Sequence, residues 1–186
     1  MPELGSYVAC IAEGGSETAI LDLLLDHHLL IFDRNMLIDE KILNCRSASA
    51  FESRYLRMGF KGKITVFRVL DSRRENFKLS KACLHKVDVI NVITAPEIEM
   101  LIILNENKYQ EYKKSGLKPN EFCKGPLKMR NVKSPGFVKK YFADVNVLMD
   151  AIRKYASVSK IGRGEYTLLD LLRDETRLPA RFTLSS

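Results

Sequence analysis

Cysteine is scarce in this chain and is nowhere paired at short spacing. Cys10, Cys45, Cys83 and Cys123 are the four. No two form a CxxC step, so a zinc site of the usual spacing is not supported. Nor do they make the dense framework of a disulfide scaffold, which favours a reducing compartment. Cys10 lies inside an apolar run and reads as a buried thiol. Histidine is scarcer still, with three residues. His27 and His28 are adjacent, and neighbours on a helix point about 100° apart, which is poor geometry for chelating one ion. His85 stands alone, which leaves no Ser/His/Asp or Cys/His nucleophilic set. Long apolar runs are missing as well. The longest candidates, 21–32 and 100–104, are too short or broken by charge, against the roughly 18 apolar residues that a membrane helix needs. The opening residues carry no basic region, and the apolar stretch after them is interrupted by Glu13, so no signal peptide is expected. A cytoplasmic location follows as the expectation. A nucleotide phosphate loop is not expected either. Glu13-Gly-Gly-Ser16 lacks the lysine of such a loop and opens on a carboxylate that would repel phosphate.

What remains is an ordinary globular composition: 186 residues, 46% apolar and 28% charged. That length buries a core without staples. The net charge is +7, and it is unevenly placed. Residues 108–163 hold fourteen Lys and Arg against four Asp and Glu, so the rest of the chain is net acidic. A local excess of this kind fits a face that meets a polyanion, and a lysine-rich solvated surface is the plainer alternative.

The pattern along the first hundred residues alternates strand and helix. Residues 7–12 (YVACIA) form a short β-favouring run that stops at Glu13-Gly14-Gly15-Ser16. An apolar-periodic segment, 17–32, follows with Ser16 as its N-cap and Glu17 at the positive end of the helix. Residues 36–44 hold at most a short strand. Ser49-Ala-Phe-Glu52 has the form of a capping box, and its helix runs to Gly59. Residues 63–70 (KITVFRVL) are the clearest strand; Asp71 and a basic loop, SRRENF, come after it. A short helix is expected over 79–86, a strand over 87–93 (VDVINVI), and a helix over 97–105 with Pro96 in its first turn. Such alternation predicts an α/β fold with a small, mostly parallel sheet flanked by helices. The boundaries expected are an α/β core over residues 1–106 and a basic helical C-terminal extension over 107–186. That extension shows helical patterns near 137–142, 145–155 and 167–174.

Acidic residues recur where strands end. Glu13 follows the first strand and Asp71 the second, while Glu97 and Glu99 lie past the third. In a parallel sheet these positions converge at one edge, where open α/β sheets bind their ligands. Glu17 is one helical turn beyond Glu13. Clustered carboxylates repel, and protons or a cation must relieve them. Oxygen-only donors select a hard ion such as Mg²⁺ or Mn²⁺. Arg73 and Arg74, directly after the Asp71 strand end, are suited to phosphate oxygens. Taken singly, each acid is also what a turn or a helix start would use. Tyr109, Tyr112, Phe122, Phe137, Tyr141 and Phe142 are interleaved with lysines. That mixture suits stacking on a single strand, and equally the core face of helices whose lysines snorkel.

Three segments resemble the motifs of Toprim domains. YVACIAEGGSE is similar to the first, a hydrophobic strand followed by Glu-Gly and a second acid four residues after the Glu. ITVFRVLDSR is similar to the second, a strand ending in Asp-x-Asp. NVITAPEIEMLIIL resembles a signature of Toprim nucleases of the OLD and RloB-like phage-defence kind, with a Pro three residues before a Glu that corresponds to Glu99. The resemblance covers roughly residues 6–105. It implies a Toprim-like, Rossmann-like sheet and a Mg²⁺- or Mn²⁺-dependent nuclease, a hydrolase of nucleic-acid phosphodiesters serving antiviral defence or nucleic-acid processing. By position it makes Glu13 a metal ligand and acid/base, Glu17 and Asp71 further ligands, and Glu99 a supporting acid. The second Asp of Asp-x-Asp is Arg73 here, which implies one-metal chemistry with Arg73 beside Glu13 and Asp71, or a domain without catalysis. The alternative functions are therefore a Toprim-like module that binds DNA or RNA without turnover, and an interaction subunit that meets a protein partner or a second copy of itself.

Overall fold

The computed structural model describes residues 4–73, 76–95 and 98–177. Arg74 and Glu97, both singled out above, lie outside the described residues.

The three strands expected from sequence form one parallel sheet in the order β1-β2-β3. β1 is Tyr7–Ala12, β2 is Ile64–Leu70 and β3 is Val87–Ile93. In register, Ala12 stands beside Val69 and Leu70 beside Ile93, so all three carboxyl ends meet at one edge. β2 is central and buried at every position. Strands buried on both faces read as continuous apolar runs, and successive side chains sort onto opposite faces. Phe67 and Val69 enter one core and Ile64 and Val66 the other.

Helix α1 (Gly15–Asp26) packs in the larger core. α2 (Ala48–Arg54) lies on the opposite face, with Ala48 and Phe51 in the smaller core. Its cap is Ser47, whose hydroxyl accepts from the Ala50 amide, and not Ser49. Glu52, expected to close that cap, instead accepts from the Ser80 amide. The expected strand over 36–44 is not formed: two short 3-10 turns, Arg34–Met36 and Ile38–Glu40, and isolated bridges from Leu37 to Val8 and from Leu43 to Ile11 shield the open edge of β1. The expected helix over 79–86 is a run of turns.

After α3 (Met100–Asn105) come α4 (Tyr109–Ser115) and α5 (Pro119–Lys124), two helices that the sequence reading passed over. Six or seven residues of mixed polarity give too little period to register. α6 (Pro135–Tyr141) and α7 (Val145–Val158) match expectation, while the 167–174 pattern is a 3-10 turn, Leu168–Leu171, followed by a four-residue α8, Asp174–Arg177. Phe122, Val138, Leu148, Ile152 and Leu171 join Val8, Cys10 and Phe67 in the larger core, so the C-terminal segment completes the hydrophobic interior of the sheet. Cys10 is fully buried there, and burial pushes its thiol up to about 12. No described helix is long and apolar enough to cross a membrane.

One tie closes the chain on itself. Arg173 donates from Nε to the Leu30 carbonyl and from Nη2 to both Asp33 carboxylate oxygens at 2.8 Å. His28 Nδ1 stands 3.0 Å from Asp33 Oδ1. His28, first, and then Arg173 hold the Asp33 carboxyl below its usual range against an opposing desolvation. A depressed carboxyl adds stability above its unfolded pKa, about 3.9, and loses it as pH falls through the lower folded value. The stability gap between wild type and Asp33→Asn is expected to be open at pH 7 and to close as pH falls below the unfolded carboxyl value of about 3.9 and on through the lower folded one. Urea melts of both proteins across that pH range measure it.

Candidate functional site

Glu13, Asp71 and Glu17 line one open cavity of about 220 Å³ at the carboxyl edge of the sheet. Glu13 leaves β1 and Asp71 leaves β2, adjacent strands in register. Glu17 comes from the first turn of α1. Gly14, not Ser16, is the N-cap of that helix, with φ −107° and ψ 159°. Ser16 lies two positions inside the cap, and its hydroxyl donates to Glu17 Oε2 at 3.0 Å. Thr18 secures the turn by donating its amide and its hydroxyl to the Gly14 carbonyl, at 3.1 and 2.9 Å.

The Glu17 carboxylate lies folded back against Gly14. A Cβ added at Gly14 would overlap Glu17 Oε2 and stand 3.0 Å from its Cδ. Gly14→Ala is thus expected to push the Glu17 carboxylate out of its place while leaving the fold intact, because the obstructed atoms are the far end of a flexible side chain. Thermal melts within about 1 kcal/mol of wild type would be the result, and, if the cavity holds Mn²⁺, calorimetry would show it bound at least tenfold more weakly.

Two cations share the cavity that the sequence reading did not assign to it. Arg46, just before α2, and Lys133, just before α6, both line it. Lys133 also connects the site to Glu99, whose Oε1 is 3.5 Å from Lys133 Nζ. Glu99 itself is 1% exposed. It therefore takes part through Lys133 and is not a lining residue of the cavity. No local signal marks Arg46 or Lys133, because each sits in a polar loop whose place is set by tertiary packing.

The donors are oxygen only, which fits a hard divalent cation. Among the described residues no three His, Cys, Asp or Glu side chains are gathered closely enough to close on one ion. Such a set would hold an ion only in the manner common for Mg²⁺, through one or two carboxylates with water and a substrate phosphate completing the shell. Among the described lining residues three carboxylates, Glu13, Glu17 and Asp71, stand with two cations, Arg46 and Lys133.

Arg73 is placed elsewhere. The expectation that its guanidinium stands beside Glu13 and Asp71 is not met. Its Nε donates to Glu165 Oε1 and Oε2 at 2.9 and 3.1 Å, and its Nη2 to the Lys160 carbonyl at 2.6 Å. Glu165 is held below the usual carboxylate range, first by the Gly162 amide and then by Arg73. Arg73 lines a neighbouring cavity with Tyr109, Tyr112 and Tyr155. Asp-x-Arg here thus turns its acid and its base toward two different spaces. His27 caps the C-terminal end of α1 and His28 pairs with Asp33, both at the opposite end of that helix from the edge cavity.

Comparison with known proteins finds no matching family model, no similar curated protein and no similar solved structure.

Proposed function

We propose that the chain is a divalent-metal-dependent nuclease of Toprim type, acting on nucleic-acid phosphodiesters, with Glu13 and Asp71 as the metal-holding carboxylates. The observation that carries this reading is the convergence of Glu13, Glu17 and Asp71 on one cavity at the carboxyl edge of a parallel sheet, together with Arg46 and Lys133. Two separate sequence motifs supply those acids, the first Glu13 and Glu17 and the second Asp71, in the chain order of the family they resemble. A bound Mg²⁺ or Mn²⁺ would supply Lewis-acid polarisation and charge neutralisation at a phosphate.

The chain's own groups supply the rest. Lys133 and Arg46 offer cationic donors to phosphate oxygens on the rim of the cavity. Lys133 is steadied from below by Glu99. Glu17, turned inward and held by Ser16, adds negative charge beside the ion. Glu13, half-buried at the strand end, is the group for moving a proton to or from the reacting oxygens. The basic C-terminal segment extends the positive surface along which a strand runs. A role in defence against phage is part of the same proposal, and it rests on the motif resemblance alone.

A second reading is favoured by one observation, the two cations already inside the acidic cavity. In that reading the domain binds phosphate without turnover. Mn²⁺ separates the two. The nuclease reading expects millimolar Mn²⁺ to raise the melting temperature of wild type, since a ligand that binds only the folded state stabilises it. It also expects no such rise in Asp71→Asn and chelator-sensitive cleavage of DNA or RNA. Nucleic-acid binding that is salt-dependent, indifferent to chelator and without cleavage would establish the binding module instead.

A further inference from the structure

We propose that the tyrosine-lined cavity next to the acidic one is a nucleotide site, stacking one aromatic base on tyrosine and holding its phosphate with Lys113 and Lys160. The cavity is about 310 Å³, at the lower end of the roughly 300–1,000 Å³ of small-ligand sites. That suits a single nucleotide and excludes a duplex.

Its walls come from helices on both sides. Tyr109 and Tyr112 are three residues apart on α4, a spacing that puts both on one helix face. Both are half-buried. Tyr112 is braced edge-on by Phe122, with centroids 5.5 Å apart. Tyr155 faces them from α7 and is fixed by its hydroxyl, which donates to the Ala95 carbonyl. Three restrained phenol rings lose little freedom when a base enters.

The rim is cationic. Lys113 Nζ lies 5.7 Å from the Tyr109 ring centroid. Lys160 is exposed, and its backbone is pinned by Arg73, which Glu165 holds in turn. Among the described lining residues there is no Asp or Glu. A metal ion finds no carboxylate there, and a cationic ligand would be repelled. An anion with an aromatic face satisfies both the lysines and the rings.

Position ties this cavity to the acidic one. Asp71 lines the first and Arg73 the second. Two residues span at most about 7 Å of chain, so one short stretch of backbone serves both cavities. The source of the nucleotide as part of a strand rests on the nuclease reading; the affinity for base plus phosphate does not.

The chain contains no tryptophan and seven tyrosines, so tyrosine fluorescence reports directly on ring contact. The experiment titrates the full chain, without divalent metal, with 5′-AMP, with adenosine, with inorganic phosphate and with a short oligoadenylate. Saturable quenching by 5′-AMP is expected, at least tenfold tighter than by adenosine or phosphate. Tyr109→Ala and, separately, the surface change Lys160→Glu should each weaken it at least fivefold. Glu13→Gln and Asp71→Asn should leave it unmoved. Tighter binding of the oligonucleotide than of 5′-AMP identifies a strand as the source, and equal binding identifies a free nucleotide. No saturable binding at millimolar 5′-AMP, phosphate bound as well as 5′-AMP, or affinity unchanged in both Tyr109→Ala and Lys160→Glu would overturn the proposal. Loss of cleavage with nucleotide binding retained would instead count only against the nuclease reading.

Discussion

Glu13→Ala and Asp71→Ala are each expected to lower phosphodiester cleavage by about 10²–10³-fold, the scale on which single charge-stabilising groups act in polar, preorganised sites. Both residues line the same cavity from neighbouring strands. Removing either takes a negative charge from a cavity that also contains Arg46 and Lys133, so the balance there tips toward cation and divalent-metal affinity falls with it. Glu17→Ala should cost less, about tenfold to a hundredfold. Its carboxylate is folded back against Gly14 and Ser16, the position of a group that orients and tunes more than it ligates. Lys133→Ala should resemble Glu17→Ala in size but raise KM as well, because Lys133 lines the cavity that the nuclease reading assigns to the phosphate. Single-turnover cleavage with Mn²⁺, on variants shown by circular dichroism to be folded, gives all four rates. Equal rates in wild type, Glu13→Ala and Asp71→Ala would remove the acidic cavity from the reaction.

Much of this arrangement is legible in the sequence, for a physical reason. A strand buried on both faces is a mostly apolar run, and the acid that follows such a run marks the strand end. Glu13 and Asp71 are located in that way, although Arg68 interrupts the second run. β3 was expected at 87–93, and Val87–Ile93 is the strand observed. What the sequence conceals is direction. Asp71 and Arg73 are separated by one residue, and their side chains serve different cavities. Whether Arg73 turns toward Glu13 or toward Glu165 depends on a contact ninety-two residues away, which no local pattern encodes. Arg46 and Lys133 are hidden in the same way. The short helices α4 and α5 escape detection because each is too short to display an amphipathic period, yet α4 supplies two of the three tyrosines in the second cavity.

The other large effect belongs to Arg68, which the apolar character of its strand also conceals. Arg68 sits in the middle of β2 and is 2% exposed. Its register neighbours are Ile11 on β1 and Asn91 on β3. Its guanidinium carbon lies 4.6 Å from the centroid of the Phe77 ring. Phe77 in turn packs near Phe51 of α2, with centroids 6.0 Å apart. Arg68 is therefore the strut between the central strand and the segment that returns from Asp71. Arg68→Ala removes a cation–π contact and a long side chain from a packed interior at once. A loss of about 3–4 kcal/mol is expected, the range of large-to-small core changes. Arg68→Met refills most of the volume and keeps a long, unbranched side chain against the Phe77 ring. It should cost less than half as much. Urea unfolding midpoints for the two variants test the ranking. Because Phe77 anchors the chain that leaves Asp71, Arg68→Ala should also weaken Mn²⁺ binding at temperatures where the protein remains folded, and Arg68→Met should not. Small and equal destabilisation in both variants would mean that Arg68 is a passive occupant of the strand and that the Asp71 loop is positioned by other contacts.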